Sequence, residues 1–467
     1  MTVLRVVPAI RPLAPLWPPP RPNAPVARPV AWWPPLRRAA VPVRRRAAWA
    51  AAALLPLLAL LQGCVGWRVG PRQTLHVLMV PTERIDWMRH DYLENEAMRT
   101  LLKAFQRVRP DVAVEISLEP QETVADTLRR SNSRGLGPDL IMLRAPQAIA
   151  LADRGLVAPL PERDPRLRAT LPLIAPKTLM RVRSARGLAG LPVFTEFSLA
   201  CYDRRRLSQP PTTLNELLAL AASARNVGLS VDLTGIWWSA GAMGATTTLM
   251  PIVTGSQMAP VLPESRQRAL LLGWLRWLRQ AALQSHVEMA SGSRDLATGL
   301  ESGRLSWIPC FSLTLIRLDR TMGANLGVAS LPSGPGGQAS PFSTTRVWAL
   351  GRDSSPEQRR LAVDLAALSL DPLVQRDMMV QSRVLLPSNR YVPIPQASSG
   401  ELAALSQAEQ GVDHAMALIP HPFSIDRMQR LLPRMQALLV DVMVGVMTPE
   451  QGAEALLRLI PQTPERR

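Results

Sequence analysis

The side chains with chemistry to offer stand at the ends of short apolar runs. Thr82 and Glu83 directly follow Leu75–Val80, and Arg144 directly follows Leu140–Leu143. Glu196 precedes the run Ser198–Tyr202, and Trp237 and Trp238 sit side by side between Gly235 and Gly241. Carboxylates and guanidinium groups are planar hydrogen-bonding partners, and an indole offers a flat apolar face. Together these groups can hold a small hydroxylated molecule. Bond-breaking chemistry is harder to assemble from this sequence. It contains neither GxSxG nor HExxH, the spacings that build a serine nucleophile elbow or a helical zinc site. The three cysteines, Cys64, Cys201 and Cys310, form no CxxC pair, and the five histidines are scattered. No metal site, cofactor or disulfide framework is therefore expected. Glu83 and Glu196 are a carboxylate pair of the kind a glycosidase sets across one bond, but nothing else supports a hydrolase.

The elements that must position these residues alternate. Leu75–Val80 reads as a buried strand, and Asn95–Val108 as a helix with Met98, Leu101, Leu102 and Phe105 at helical spacing and a stop at Pro110. Val112–Leu118 is a second strand, Thr123–Asn132 a helix and Leu140–Leu143 a third strand. This β-α-β-α-β order implies an α/β fold with mainly parallel sheets flanked by helices. Ligands of such sheets bind outside the carboxyl ends of the strands. Thr213 reads as the N-cap of a helix Leu214–Arg225, with Glu216 closing a capping box. The Gly-flanked Trp237-Trp238 segment reads as a loop able to present an indole. Trp274 and Trp277, at i, i+3 on a helix, read as core, as does Trp307. Further helices are expected at Pro356–Leu370, Pro372–Ser382, Arg427–Val444 and Pro449–Leu459. Cys201 and Cys310 lie in apolar strands, where a reduced Cys behaves as a small hydrophobe. A bridge between them is open in an oxidising compartment, and their Cα separation decides it, since beyond about 7 Å none forms without backbone movement.

The N-terminal region is compositionally distinct. Residues 1–43 are rich in Pro, Arg and Ala without apolar periodicity, and read as a disordered extension. A start codon assigned too early, with Val41 or Val43 as the initiator, would explain its length. Arg44, Arg45 and Arg46 then precede 15 uncharged residues, Ala47–Leu61. That suits a signal h-region and falls short of the roughly 20 residues of a membrane span. The stretch closes on Leu61-Gln62-Gly63-Cys64, which resembles a bacterial lipobox. In such signals the Cys thiol receives a lipid and becomes the mature N-terminus. The chain's charge of +18 is concentrated here: the first 63 residues hold nine Arg and no Asp or Glu, leaving 45 basic and 36 acidic residues beyond them. Without a basic run interleaved with aromatics there, no nucleic-acid partner is expected.

Residues from about 74 to 460 resemble, in order, the extracellular solute-binding proteins of ABC importers, in the sugar-binding group that includes maltose-binding protein. The resemblance rests on Phe105–Ile116, Pro138-Asp139-Leu140 and Gly155-Leu156-Val157-Ala158-Pro159-Leu160. Its most specific block runs from Gly190-Leu191-Pro192 through Leu199–Asp203 to Pro210-Pro211-Thr212-Thr213-Leu214-Asn215-Glu216-Leu217. Leu300–Ser306, Gly327–Gly337 and Thr448–Ala453 complete it. Pro309-Cys310-Phe311 stands where the family often has a Gly-x-Trp, and Tyr202-Asp203 where it has Tyr-Asn.

The resemblance implies a two-lobed periplasmic-binding-protein fold with a ligand cleft between α/β lobes, and a binding protein that is not an enzyme. It places residues 44–63 as a signal peptide and 64–73 as a tether. Residues 74–195 with about 330–372 form the first lobe, and 196–329 with about 373–467 the second. It implies a sugar or polyol ligand, partnership with ABC permease subunits, and a periplasmic protein anchored to the membrane by lipid at Cys64. The cleft contacts it suggests are Thr82, Glu83, Arg144, Glu196, Trp237, Trp238, Phe311 and Trp348. A lipoprotein scaffold without transport, and less readily a glycan-acting hydrolase, are the alternatives. The lobes are expected to hinge near Phe194–Ser198 and Val328–Leu331.

Overall fold

The computed structural model describes residues 73–81, 96–254, 262–416 and 425–460, all within one compact unit, Val69–Arg467. Cys64, Thr82 and Glu83 lie outside the described residues, as do the extension and the signal segment.

The strands in chain order are β1 (Gln73–Met79), β2 (Val112–Leu118), β3 (Leu140–Arg144), β4 (Val157–Ala158), β5 (Arg183–Ser184), β6 (Gly187–Leu188), β7 (Leu191–Asp203), β8 (Val227–Ser230), β9 (Val287–Ala290), β10 (Trp307–Phe311), β11 (Leu326–Ala329), β12 (Ser343–Gly351) and β13 (Leu386–Pro387). Apart from the β5-β6 pair they form one sheet along the path β2-β1-β3-β12-β7-β10-β8-β9, with β11 and β13 paired to β7 and β4 paired to β12 off that path. At one end β1 runs parallel to β2 and β3, and at the other β8 runs parallel to β9 and β10. The helices between these strands are the crossovers that parallel pairing requires.

Strand β7 carries the chain from one half to the other. Its first part, Leu191–Phe197, pairs antiparallel with β12, and its second, Ser198–Tyr202, pairs antiparallel with β10. The changeover at Phe197/Ser198 lies within the segment expected to hinge. All but one of the residues of β7 are buried, because it is central in the sheet and covered on both faces. Successive side chains go to opposite faces: Leu199 and Cys201 join a core cluster running through the first half and across one face of the second. Ala200 and Tyr202 join a second cluster on the opposite face.

Local signals explain most helix positions. In Glu96–Val108, Ala97, Met98, Leu101 and Phe105 are buried, the stripe an amphipathic helix presents to a core. Thr213 caps Leu214–Ala222 by accepting from the Glu216 amide at 3.1 Å. The Glu216 carboxylate accepts from the amide and hydroxyl of Thr212 rather than from the Thr213 amide, so the expected box is displaced by one residue. Helix Pro372–Ser382, expected in the second lobe, packs on Glu96–Val108, and β13 pairs with Thr195 and Phe194 at the first-half end of β7. The chain therefore leaves the first half later than residue 372.

Two further expectations are corrected. The Trp237-Trp238 segment is helical, within Leu233–Ala242. Its glycines do not open a loop: Gly241 packs where a Cβ would lie 2.4 Å from the Ser340 amide nitrogen. Small residues let the Pro332–Phe342 segment approach, and Ser340 donates its amide to the Trp238 carbonyl at 3.1 Å. The cysteines Cys201 and Cys310, read as reduced hydrophobes with a bridge left open, are joined in a disulfide, their Cα atoms 5.8 Å apart. On the adjacent strands Cys201 is opposite Ile308 and Cys310 opposite Leu199, so both cysteines share the face packed into the first cluster.

Candidate ligand cleft

The carboxyl ends of strands from both halves surround one cavity of about 250 Å³. Arg144 ends β3, Ser230 ends β8, Phe311 ends β10, and Gly292 and Ser293 follow β9 shortly after its end. Ser198, at the changeover in β7, and Phe342, just before β12, close the set. The cavity thus lies where the strand-end rule for open α/β sheets expects a ligand. The volume is near the small end of the range for ligand pockets, about 300 Å³.

The polar lining is fixed by short-range geometry. The Ser230 hydroxyl accepts from the Asp232 amide at 3.0 Å. Asp232 in turn accepts from the Gly292 amide through its carboxylate at 2.9 Å. That bond ties the loop after β8 to the loop after β9. Gly292 has φ 95°, a left-handed backbone that glycine adopts without strain. Arg144 is the N-cap of helix Ala145–Asp153, and its guanidinium donates to the Gln121 side chain. Two half-buried aromatics supply the apolar wall: the rings of Phe311 and Phe342 lie 6.4 Å apart, inclined by 43°.

Of the expected contacts, Arg144 and Phe311 line this cavity. Glu196 does not; it is fully buried beside Arg346, Oε1 3.7 Å from Nε. Arg346 also donates to the Val80 carbonyl at 2.7 Å. Since Glu196 and Arg346 lie on the two central strands, β7 and β12, their charges are enclosed where the halves join. Trp348, also on β12, is fully buried in the first cluster. Trp238 is fully buried, with the Trp277 and Trp307 rings edge-on at 6.0 Å each. Trp237 is partly buried against the same second cluster. The indoles thus serve packing and the phenyl rings face the cavity.

Sequence reasoning missed Ser198, Ser230, Asp232, Ser293 and Phe342. Ser230, at a strand end, and Asp232, at a helix start, carried a usable signal. Ser198 and Phe342 carried none, because only the pairing of β7 with its neighbours brings them to the site.

Among the described residues no helix is long and apolar enough to cross a membrane, and no cluster of His, Cys, Asp and Glu could hold a metal ion.

Residues 100–404 match the model of the bacterial extracellular solute-binding protein family. No curated protein matches the chain in sequence. Similar solved structures include the GacH receptor of Streptomyces glaucescens GLA.O, studied unliganded and with acarbose. It is 15% identical with TM-score 0.62, the match covering 85% of this chain and 100% of that one. A cyclo/maltodextrin-binding protein complexed with maltotetraose is 16% identical with TM-score 0.62, over 84% and 98% of the two chains. Maltose-bound MalE3 of T. maritima is 18% identical with TM-score 0.59, over 83% and 99%. At these identities the likeness is one of fold, the two-lobed α/β fold expected above. The family match spans more than half of the chain, and the protein belongs to the bacterial extracellular solute-binding proteins.

Proposed function

We propose that this protein is the substrate-binding component of an ABC importer, taking a sugar or related polyol into the cavity between its halves and passing it to permease subunits in the membrane. The observation that carries the reading is the cavity itself. Polar groups from both halves, Arg144 on one side and Ser230 and Asp232 on the other, flank the phenyl rings of Phe311 and Phe342. Hydroxyl groups find planar partners there, and the C–H face of a sugar finds an aromatic one. Solved proteins of the same fold hold acarbose, maltotetraose and maltose, which supports the class of ligand. The small cavity favours a ligand of one ring over a long oligosaccharide.

The same reading places the mature protein at the periplasmic face of a membrane, held by lipid on Cys64 after cleavage before it. A thermal-shift panel of sugars and polyols on the full chain tests the ligand class. A ligand at about 100 times its dissociation constant adds about 2.7 kcal/mol of stability. If no sugar or polyol raises the melting temperature, the class is wrong. Cys64→Ser should release the protein from membranes or block its processing. A variant that stays membrane-bound at unchanged mass would refute the anchor.

A further inference from the structure

The changeover in β7 is gripped from both edges by the segments that carry the aromatic wall. On one edge the Ser198 amide donates to the Phe342 carbonyl at 2.9 Å. On the other, the amide of Ser312, the residue after Phe311, donates to the Phe197 carbonyl at 2.8 Å. In a regular antiparallel pair the Phe197 amide would donate in return to the Ser312 carbonyl. It donates instead to the Ser312 hydroxyl, at 3.3 Å. The Ser312 carbonyl is taken up at the start of helix Thr314–Met322, where it accepts from the Leu315 amide at 3.2 Å. Phe197 is 1% exposed and Ser312 is fully buried, so solvent does not stand in for the hydroxyl, and a buried amide needs a partner. The hydroxyl therefore completes the ladder where β10 has left it. A side-chain acceptor turns on its own torsion, so it can follow its donor through a small rotation, whereas a carbonyl moves only with its strand. At 3.3 Å the bond is just beyond the usual range, which leaves it room to shorten.

We propose that Ser312 is a positioning residue of the cleft. Its hydroxyl holds the Phe197 amide while the halves rotate about Phe197/Ser198, and so ties the approach of Phe311 to Phe342 to the bending of β7. Ser312 is not in the cavity lining; it acts through its neighbour Phe311 and through Phe197. A ligand seated against the two rings draws Phe311 and Phe342 together, and the Ser312 hydroxyl and the Phe342 carbonyl carry that movement to the two sides of the changeover. This inference rests on the cavity being the ligand site.

The test is pulsed electron resonance on the full chain carrying Cys64→Ser, spin-labelled through Leu136→Cys in the first half and Leu283→Cys in the second, both exposed positions. The bridged Cys201 and Cys310 take no label. Label-to-label distances are recorded without ligand and with saturating glucose, for this parent and for Ser312→Ala, Ser312→Thr and Leu218→Ala. Ser312→Ala removes a single oxygen atom and keeps the backbone bonds. Without ligand it should broaden the distance distribution, and Ser312→Thr, which retains a hydroxyl, should keep the parent's. Leu218→Ala, in the second core cluster, should lower the melting temperature and leave the distribution unchanged, which separates control of the hinge from lost stability. Glucose should shorten the distance in the parent and in Ser312→Thr, and its calorimetric affinity should fall about fivefold in Ser312→Ala, the worth of one hydrogen bond. Ligand-free distributions alike in the parent and Ser312→Ala would overturn the role of Ser312, whatever sugar binds. Broadening in Leu218→Ala equal to that in Ser312→Ala would overturn it too, by showing that stability alone sets the spread. Failure of glucose to bind the parent would count against the sugar reading, while the ligand-free distances still decide Ser312.

Discussion

Phe311 and Phe342 meet at the cavity with ring centroids 6.4 Å apart and planes inclined by 43°. One ends β10 and the other precedes β12, so the aromatic wall is built from both of the strands that flank β7. Large aromatic faces contribute strongly to recognition because they lose little conformational freedom on binding. Phe311→Ala and Phe342→Ala should each weaken ligand binding by about 2 kcal/mol. Calorimetry with a confirmed ligand measures this, and two variants that bind as the parent does would remove the rings from the site.

Trp238 should behave in the opposite way. It is fully buried between Trp277 and Trp307, and truncating a buried aromatic costs about 3–5 kcal/mol through lost contacts and the void left behind. Trp238→Ala should lower the urea midpoint sharply while any folded fraction binds ligand normally. A stable variant with weakened binding would return the stacking role to the indole.

The Cys201–Cys310 bridge joins residues 109 apart in sequence. Closing a loop of that length restricts the unfolded chain, and loss of such a bridge typically destabilises by about 2–5 kcal/mol. Reductant, or the Cys201→Ser/Cys310→Ser double variant, should lower stability by that amount. Cys310 also borders the cavity, so ligand affinity should fall as well. Equal denaturation curves with and without reductant would show that the bridge contributes nothing.

Asp203, at the end of β7, is fully buried and held by Arg205, whose Nη2 donates at 2.7 Å. The hydrogen bond from Arg205 lowers its pKa below the usual carboxylate value. A depressed folded pKa contributes stability above the unfolded value, about 3.9, and that contribution is lost as pH falls through the folded value. Asp203→Asn should therefore destabilise by about 1–3 kcal/mol at pH 7, and the gap between variant and parent should begin to narrow below about pH 4. A gap that persists unchanged at pH 3 would mean that packing, not charge, sets the difference.

Strand β7 crosses between the halves beside the enclosed pair Glu196 and Arg346. Bending at Phe197/Ser198 would close the cavity, with the first core cluster, which spans both sides of that point, yielding locally. Small-angle scattering should show compaction when a confirmed ligand is added. An unchanged radius of gyration at saturation would argue for a rigid cleft.

The order of elements was legible because it depends on signals a few residues apart. The apolar stripe of Glu96–Val108, the Thr213 cap and the punctuation at Pro110 and Pro138 each act locally, and strand β2 and helix Pro372–Ser382 lie where periodicity places them. Arg144 was singled out for the same reason, since it ends a strand, and Phe311 because the family resemblance sets an aromatic near it; both line the cavity. The Trp237-Trp238 segment was misread because glycine permits a loop without requiring one. Only the approach of Ser340 to Gly241 shows that these glycines make room for packing.

What the sequence by itself determined, then, was the alternation of strands and helices, the family and the ends of individual strands. Tertiary structure alone decided that β7 and β12 are central. That choice buries Glu196, Arg346 and Trp348, brings Ser198 opposite Phe311, and sets Cys201 within reach of Cys310. The physical reason is that a strand's side chains alternate by rule, but which neighbours cover its two faces depends on pairings between residues more than a hundred positions apart, and no local pattern records them.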